Sequence, residues 1–427
     1  MIFERFVRSG FARSVVRLGS ATVIGQSIGV CATPALSRLY TPSDFGVLAT
    51  FTAIAATLLA VSSLRYELAI PITHGERNAK TLLFVSVAIN IVFAFASLAV
   101  VGLFGAQIAR TLGEPLLRSY LWLLPVFLLG AGGYRIYTMT AIRNKDFRLV
   151  SRTKVTQMVA SVAVQVGTGI ARIGALGLLT GFVMGNCVGL VALVRKNPLS
   201  RPSTPPRRPA LMFLRAYALM RRYSRFPKYD VVAALADTLG AQIPNILLAM
   251  FFSVSVAGCY AMASRLLWAP ATVVGQAVGQ VFLGVARDYR KTGILMARLR
   301  LSLLVLALLV FPFAVIVFFA AVPTCTWLLG LPWVPAGAYA QWIVLGVAAQ
   351  FVYSPVSMLL LATEGQHINL VIHASLLAVK ILAVYVVSLK GSALDAVIAV
   401  SLVNFVGYLF ATALLYWHVA RHVSNKT

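Results

Sequence analysis

Acidic side chains are scarce in this chain. Asp and Glu together number 11 among 427 residues, against 37 Lys and Arg. Charged residues of both signs reach only 11%, where a soluble domain carries about 25%. Cysteine is equally thin. Cys31, Cys187, Cys259 and Cys325 stand singly in apolar sequence, without metal-site or redox spacing, and read as small core residues. The five histidines form no site: His418 and His422 share a helical face, but no third ligand accompanies them. These gaps exclude metal and thiol chemistry as the basis of function. The start, M-I-F-E-R-F-V-R-S-G-F-A-R-S-V-V-R, is basic and amphipathic but lacks a small-residue cleavage site, so it does not read as a removable signal peptide. It is expected along the cytoplasmic membrane surface.

What the chain has in quantity is apolar surface. Hydrophobic residues make up 60% and the mean hydropathy is +0.87. One aqueous core cannot hide that much, so the chain is an all-α polytopic membrane protein. A span needs about 20 apolar residues. Twelve such runs fall at 17–39, 44–70, 79–105, 117–142, 150–171, 173–194, 226–250, 255–285, 294–322, 337–362, 369–389 and 392–417. With both termini on one side, the segments on that side hold 28 Lys and Arg, and the opposite loops hold five. This asymmetry is the positive-inside rule. It makes both termini cytoplasmic and accounts for the net charge of +26 as topology rather than a nucleic-acid footprint.

The richest cytoplasmic segment divides the chain. Arg195–Pro209 is proline-rich and cannot be helical throughout, whereas Leu211–Phe226 reads as an amphipathic helix in the headgroup plane. The expected organisation is an N-terminal six-helix lobe at 1–194, a basic linker at 195–225 and a C-terminal six-helix lobe at 226–427. The linker is read as anchored to anionic lipid, with a phosphoinositide or cardiolipin site as the alternative. Six spans per half imply parallel repeats. T-P-S-D-F-G-V-L-A aligns with S-V-S-V-A-G-C-Y-A, matching Gly46 to Gly258 and Ala49 to Ala261. A-I-R-N-K-D-F-R-L at Ala141 likewise echoes A-T-E-G-Q-H-I-N-L at Ala362. Two such bundles around a central cavity form an alternating-access carrier, with Pro34, Pro244 and Pro270 placed to kink their spans.

Four basic residues fall within the runs: Arg65, Arg135, Arg265 and Lys380. Their acidic companions are Glu67, Asp237 and Asp230. A cation in mid-membrane is costly and points to function. Helical rise puts Arg265, Asp237 and Lys380 near mid-depth, Arg135 toward the inner third and Arg65 at the cytoplasmic edge. Arg65 is then either a topology anchor or part of an inward-facing mouth. On a helix, Arg65 and Glu67 would point apart. Asp237 is available to neutralise Arg265 or Lys380, or to couple an ion. The surplus of positive charge suits a phosphate or diphosphate ligand.

The stretch from Gly19 to Pro71 carries G-S-x-x-x-x-x-Q, then S-R-L-Y-T-P-S-D-F-G-V-L and L-R-Y-E-L-A-I-P. These motifs resemble the Wzx-type polysaccharide flippases, the O-antigen and exopolysaccharide translocases of the multidrug/oligosaccharidyl-lipid/polysaccharide exporter superfamily. The resemblance implies about twelve transmembrane helices in two pseudo-symmetric lobes around a cationic cavity lined by spans one, two, seven and eight. It implies a bacterial inner-membrane flippase, without cofactor or bond chemistry. Such a protein moves an undecaprenyl-diphosphate-linked oligosaccharide, or a similar polyprenol carrier, to the outer leaflet, beside a polysaccharide polymerase and assembly proteins. Arg65 falls at the family's second-span arginine, Arg265 on the lining eighth span and Asp237 on the seventh; Arg135 and Lys380 rest on charge and depth alone. Competing readings are a multidrug exporter of the same superfamily, which would favour buried carboxylates, and a polysaccharide polymerase or ligase, which would carry a large external loop. A lipid II flippase resembles fourteen-span chains, two more than fit here.

Overall fold

In hydrocarbon every unpaired backbone N–H or C=O costs several kcal/mol, so a chain can cross a bilayer only as helices or as a closed barrel. This chain takes the helical solution. The computed structural model describes residues 10–196, 209–268, 295–362 and 366–424, and no strand occurs among them. In chain order the helices are α1 (Gly10–Leu39), α2 (Pro42–Val61), α3 (Glu76–Thr111), α4 (Leu123–Arg143) and α5 (Phe147–Ile170). Next come α6 (Ala175–Cys187), α7 (Leu190–Lys196), α8 (Pro209–Arg222), α9 (Val231–Phe251) and α10 (254–268). The last are α11 (Leu295–Leu329), α12 (Val334–Ala362), α13 (Gln366–Ser388) and α14 (Ala393–Ser424). Seven segments among the described residues are long and apolar enough to cross a membrane. Leu304, Leu308, Phe311 and Phe319 of α11 stand exposed, as lipid-facing residues do.

The helices follow the apolar runs, with informative departures. α1 begins at Gly10, so residues 10–16 continue into the helix of the first apolar run; residues 1–9 lie outside the described residues. Of the expected span 255–285, residues 269–285 lie outside them, Pro270 included, as do linker residues 197–208. The second echo is only partly described, since 363–365 are outside. α11 continues through Leu329, beyond the end expected for its apolar run at 322. The P-W pair beyond it forms a short 3-10 turn after Gly330, whose φ of 99° suits glycine. Trp333 of this turn is fully buried and Trp327 is 81% exposed, so the aromatic stretch is half core and half surface.

The main correction concerns the second span. The apolar run extends to Ile70, but the helix stops at Val61. Ser62 donates its hydroxyl to the Leu59 carbonyl, Leu64 and Arg65 adopt left-handed φ of 48° and 62°, and Tyr66–Ala69 form a 3-10 turn. Short hydroxylic side chains compete for backbone groups and break helices in this way.

The chain forms two compact units: Met1–Ala32 with Phe51–Leu239, and Thr33–Thr50 with Gly240–Thr427. In the first, Phe127 and Phe182 stack at 5.2 Å and Phe51 meets Phe182 edge-on. In the second, Tyr353 of α12 and Tyr408 of α14 pack at 5.5 Å within a core that α11 and α13 complete. The second unit also holds the start of α2 because of two glycines. A Cβ on Gly46 would lie 1.8 Å from the Val254 carbonyl oxygen, and one on Gly258 would lie 1.9 Å from that of Pro42. In the sequence repeat, Pro42 aligns with Val254 as Gly46 does with Gly258, so this crossing is reciprocal. Its caps match too: Asp44 N–H donates to Thr41 Oγ1, and Val256 N–H donates to Ser253 Oγ, both at 3.2 Å.

Candidate functional site

The connection between α2 and α3 gathers charges from several parts of the first unit around Glu67. Glu67 is fully buried in the 3-10 turn. Its Oε2 accepts the Ser63 hydroxyl, and its Oε1 lies 3.1 Å from Arg135 Nε. That approach is an ion pair rather than an aligned hydrogen bond, since Oε1 receives no directed donor. Arg135 Nη1 also donates to the Leu59 carbonyl at 3.2 Å, satisfying one of the orphan acceptors at the C-terminus of α2. The charges of Arg65 and Asp230 act on the same carboxylate. Because the segment is a turn and not a helix, Arg65 and Glu67 are electrostatic neighbours, where a helix would have turned them apart. Two cations and two carboxylates therefore share one place. Within it Arg65 is half-buried, and its Nε has no hydrogen-bond partner among the described residues.

Arg143, two turns beyond Arg135 on α4, holds the rest of the connection. Its Nη1 donates to the carbonyls of Ile70 at 2.8 Å and Thr73 at 2.7 Å, and its Nη2 to that of Gly75 at 3.3 Å. Tyr66 donates its hydroxyl to the Met220 carbonyl on α8 at 3.3 Å, and Tyr223 to Thr73 Oγ1 at 3.0 Å. The sequence reading missed Arg143, Ser63 and Tyr66 as members of this cluster. The available signal was the two-turn spacing of Arg135 and Arg143 on one helix.

In the second unit, Lys380 of α13 is buried and donates from Nζ to the Gly240 carbonyl of α9 at 3.1 Å. The partner follows from the sequence of α9. Pro244 lies four residues after Gly240 inside that helix, and without an N–H it leaves the Gly240 carbonyl unbonded. Lys380 supplies the missing donor. Arg265 lies on α10, half-buried, with an interaction of its own. Asp237, on α9 in the first unit, is exposed. Among the described residues no three His, Cys, Asp or Glu are grouped as a metal would require. The arrangement is one of charge placement, with guanidinium groups suited to phosphate oxygens.

Comparison with known proteins gives the family. The model of the family described as "Polysaccharide biosynthesis protein" matches residues 35–338, well over half of the sequence. No curated protein matches. Among solved structures, the lipid II flippase MurJ in an inward closed conformation superposes with a TM-score of 0.70 at 14% identity, covering 93% of this chain and 86% of that one. An inward-facing multidrug resistance MATE family transporter of the MOP superfamily gives 0.63 at 12% identity, covering 97% and 99%. A MOP superfamily transporter from Pyrococcus furiosus, described as having a binding pocket of reverse polarity, gives 0.63 at 13%, covering 99% and 98%. At these identities the likeness establishes the fold: the twelve-helix, multi-pass architecture of those transporters. The family match goes further, and the chain belongs to the polysaccharide biosynthesis protein family.

Proposed function

We propose that this member of the polysaccharide biosynthesis family is a flippase. It carries a polyprenyl-diphosphate-linked oligosaccharide repeat unit from the inner to the outer leaflet of the bacterial cytoplasmic membrane by alternating access, for lipopolysaccharide O-antigen or exopolysaccharide assembly. Both termini are cytoplasmic, the carrier is undecaprenyl diphosphate or a similar polyprenol, and a polysaccharide polymerase acts on the delivered units. The observation that carries the reading is the family match spanning residues 35–338 on a transporter fold. The MurJ structure is named for a lipid-linked cargo, which favours an anionic lipid head group here over a cationic drug.

The geometry supports distinct roles for the charged residues. Arg65 and Arg265 are the diphosphate ligands, because a planar guanidinium pairs two oxygens at once. Arg135 and Glu67 position Arg65. Lys380 braces α9 and offers its two remaining N–H donors to the cargo. Asp237 is the group available for ion coupling.

A deletion strain tests the proposal. It is expected to lose surface polysaccharide and to accumulate lipid-linked repeat units facing the cytoplasm. Units accumulating on the outer face would point to a polymerase instead, and normal surface polysaccharide with altered drug resistance to a drug exporter. Complementation with Arg265→Ala or Arg65→Ala is expected to lower export by about tenfold or more at unchanged protein level, since a charged hydrogen bond contributes about 1.5–3 kcal/mol. Full export by both variants would remove these residues from the binding role.

A further inference from the structure

Helix α8 is amphipathic in three sectors instead of two. One sector faces the protein: Leu219 is buried against Ala79, Leu82 and Ile136, and the neighbouring Met220 carbonyl receives the Tyr66 hydroxyl. The second sector is apolar and open. Phe213, Leu214 and Tyr217 are 70%, 65% and 67% exposed, and at 3.6 residues per turn they share one side. The third is cationic: Arg215 and Arg222 lie two turns apart beside the apolar sector, and both are exposed; Arg221, exposed as well, rises within the apolar sector one turn beyond Tyr217, its long stem able to carry the charge to the headgroups. Arg225 and Lys228 continue the exposed positive charge beyond the helix. No carboxylate occurs between Pro209 and Lys228 to offset it.

We propose that α8 is a docking surface for acidic phospholipid headgroups, with Arg215, Arg221 and Arg222 at the phosphates and Phe213, Leu214 and Tyr217 in the acyl boundary below them. Two features select this occupant. Charge complementarity selects an anionic one, and the exposed aromatic and aliphatic side chains beside the arginines match the layered polarity of a membrane interface. Location selects the membrane itself, because α8 leads through the turn Phe226–Asp230 directly into a membrane-crossing segment, Phe226–Phe251. The helix cannot roll to hide its apolar side. Tyr66 and Tyr223 fix it to the α2–α3 connection, so the lipid-facing sectors are presented in a set direction. Its residues are not those proposed to bind the diphosphate, and it does not depend on which cargo the protein moves.

The test uses the full-length protein reconstituted in phosphatidylcholine with and without phosphatidylglycerol, with retained lipids counted by mass spectrometry after delipidation. The wild type is expected to retain phosphatidylglycerol preferentially. Arg215→Gln/Arg221→Gln/Arg222→Gln is expected to reduce that preference by about fivefold per arginine removed, with helicity and monodispersity unchanged. Arg215→Gln alone provides a milder variant with an intermediate value. Phe213→Ser/Tyr217→Ser is expected to weaken retention of both lipids at this site. Unchanged preference in the triple variant overturns the proposal. So does competition by inorganic phosphate, which marks a free-anion site, or retention that follows protein-to-lipid ratio instead of lipid charge, which marks a second copy of the chain as the occupant.

Discussion

At the scale of single residues, the charges in the apolar runs divide by what already holds them. Glu67 and Arg135 hold each other, and the carboxylate is the enclosed partner: Glu67 has no exposure and Arg135 is half-buried. Removing one member strands the other's charge, which costs about 3–5 kcal/mol, whereas removing both leaves no charge to strand. Glu67→Leu and Arg135→Leu are each expected to lower thermal stability strongly in detergent, and the double variant by much less than the sum. Additive losses would mean that the pair is not an interacting unit. Lys380 offers a second cycle. In the native sequence Lys380→Met leaves the Gly240 carbonyl without a donor, at about 1–3 kcal/mol. In a Pro244→Ala background the main chain itself supplies the N–H, so the same substitution is expected to cost correspondingly less. Equal costs in both backgrounds would show that the lysine is not there for the carbonyl. The sequence exposed these charges through their depth but hid their partners. The charge of a buried lysine is plain in an apolar run, but the carbonyl released by a proline on another helix is seen beside it only in the fold.

At the scale of elements, the repeat and the breaks differ in how plainly they could be read. Gly46 and Gly258 were visible as matched positions, and the fold gives the physical reason: each lets a helix approach the other's first backbone carbonyl. That contact has no flexible side chain to yield, so Gly46→Ala and Gly258→Ala are each expected to cost at least about 1–3 kcal/mol. Because both substitutions open the same crossing, the double variant is expected to cost less than their sum. Melting temperatures of the three variants check this, and additive or negligible shifts would dissolve the reciprocal contact. Span existence was legible because hydrocarbon demands long apolar helices. The end of α2 was not, because Leu68, Ala69 and Ile70 continue the apolar composition after the backbone has already turned. Hydropathy registers burial, and Ala69 and Ile70, in and just after a 3-10 turn, are buried as fully as they would be in a helix. Ser62-Ser63 was the only local sign, and two serines in a membrane segment usually bond back to their own helix.

At the scale of the whole molecule, the scarcity of carboxylates bears on what drives transport. A drug exporter for cations would need buried negative charge; here the buried carboxylate Glu67 is already matched by Arg135 and Arg65. On the proposed reading the cargo is an anion held by guanidinium groups, and an anion leaving a negative interior would be carried by the membrane potential. A diphosphate head group with about two negative charges gains roughly 4–5 kcal/mol per 100 mV on moving outward, enough for more than a thousandfold bias. Translocation of a lipid-linked oligosaccharide in vesicles carrying a potassium diffusion potential is therefore expected to accelerate when the cargo's starting side is negative. Reversing the polarity should slow it, and a proton gradient alone should have little effect. Asp237→Asn separates the two driving forces. Voltage-driven translocation that survives the substitution assigns the work to the cargo's own charge, and translocation that stops assigns it to an ion carried at Asp237.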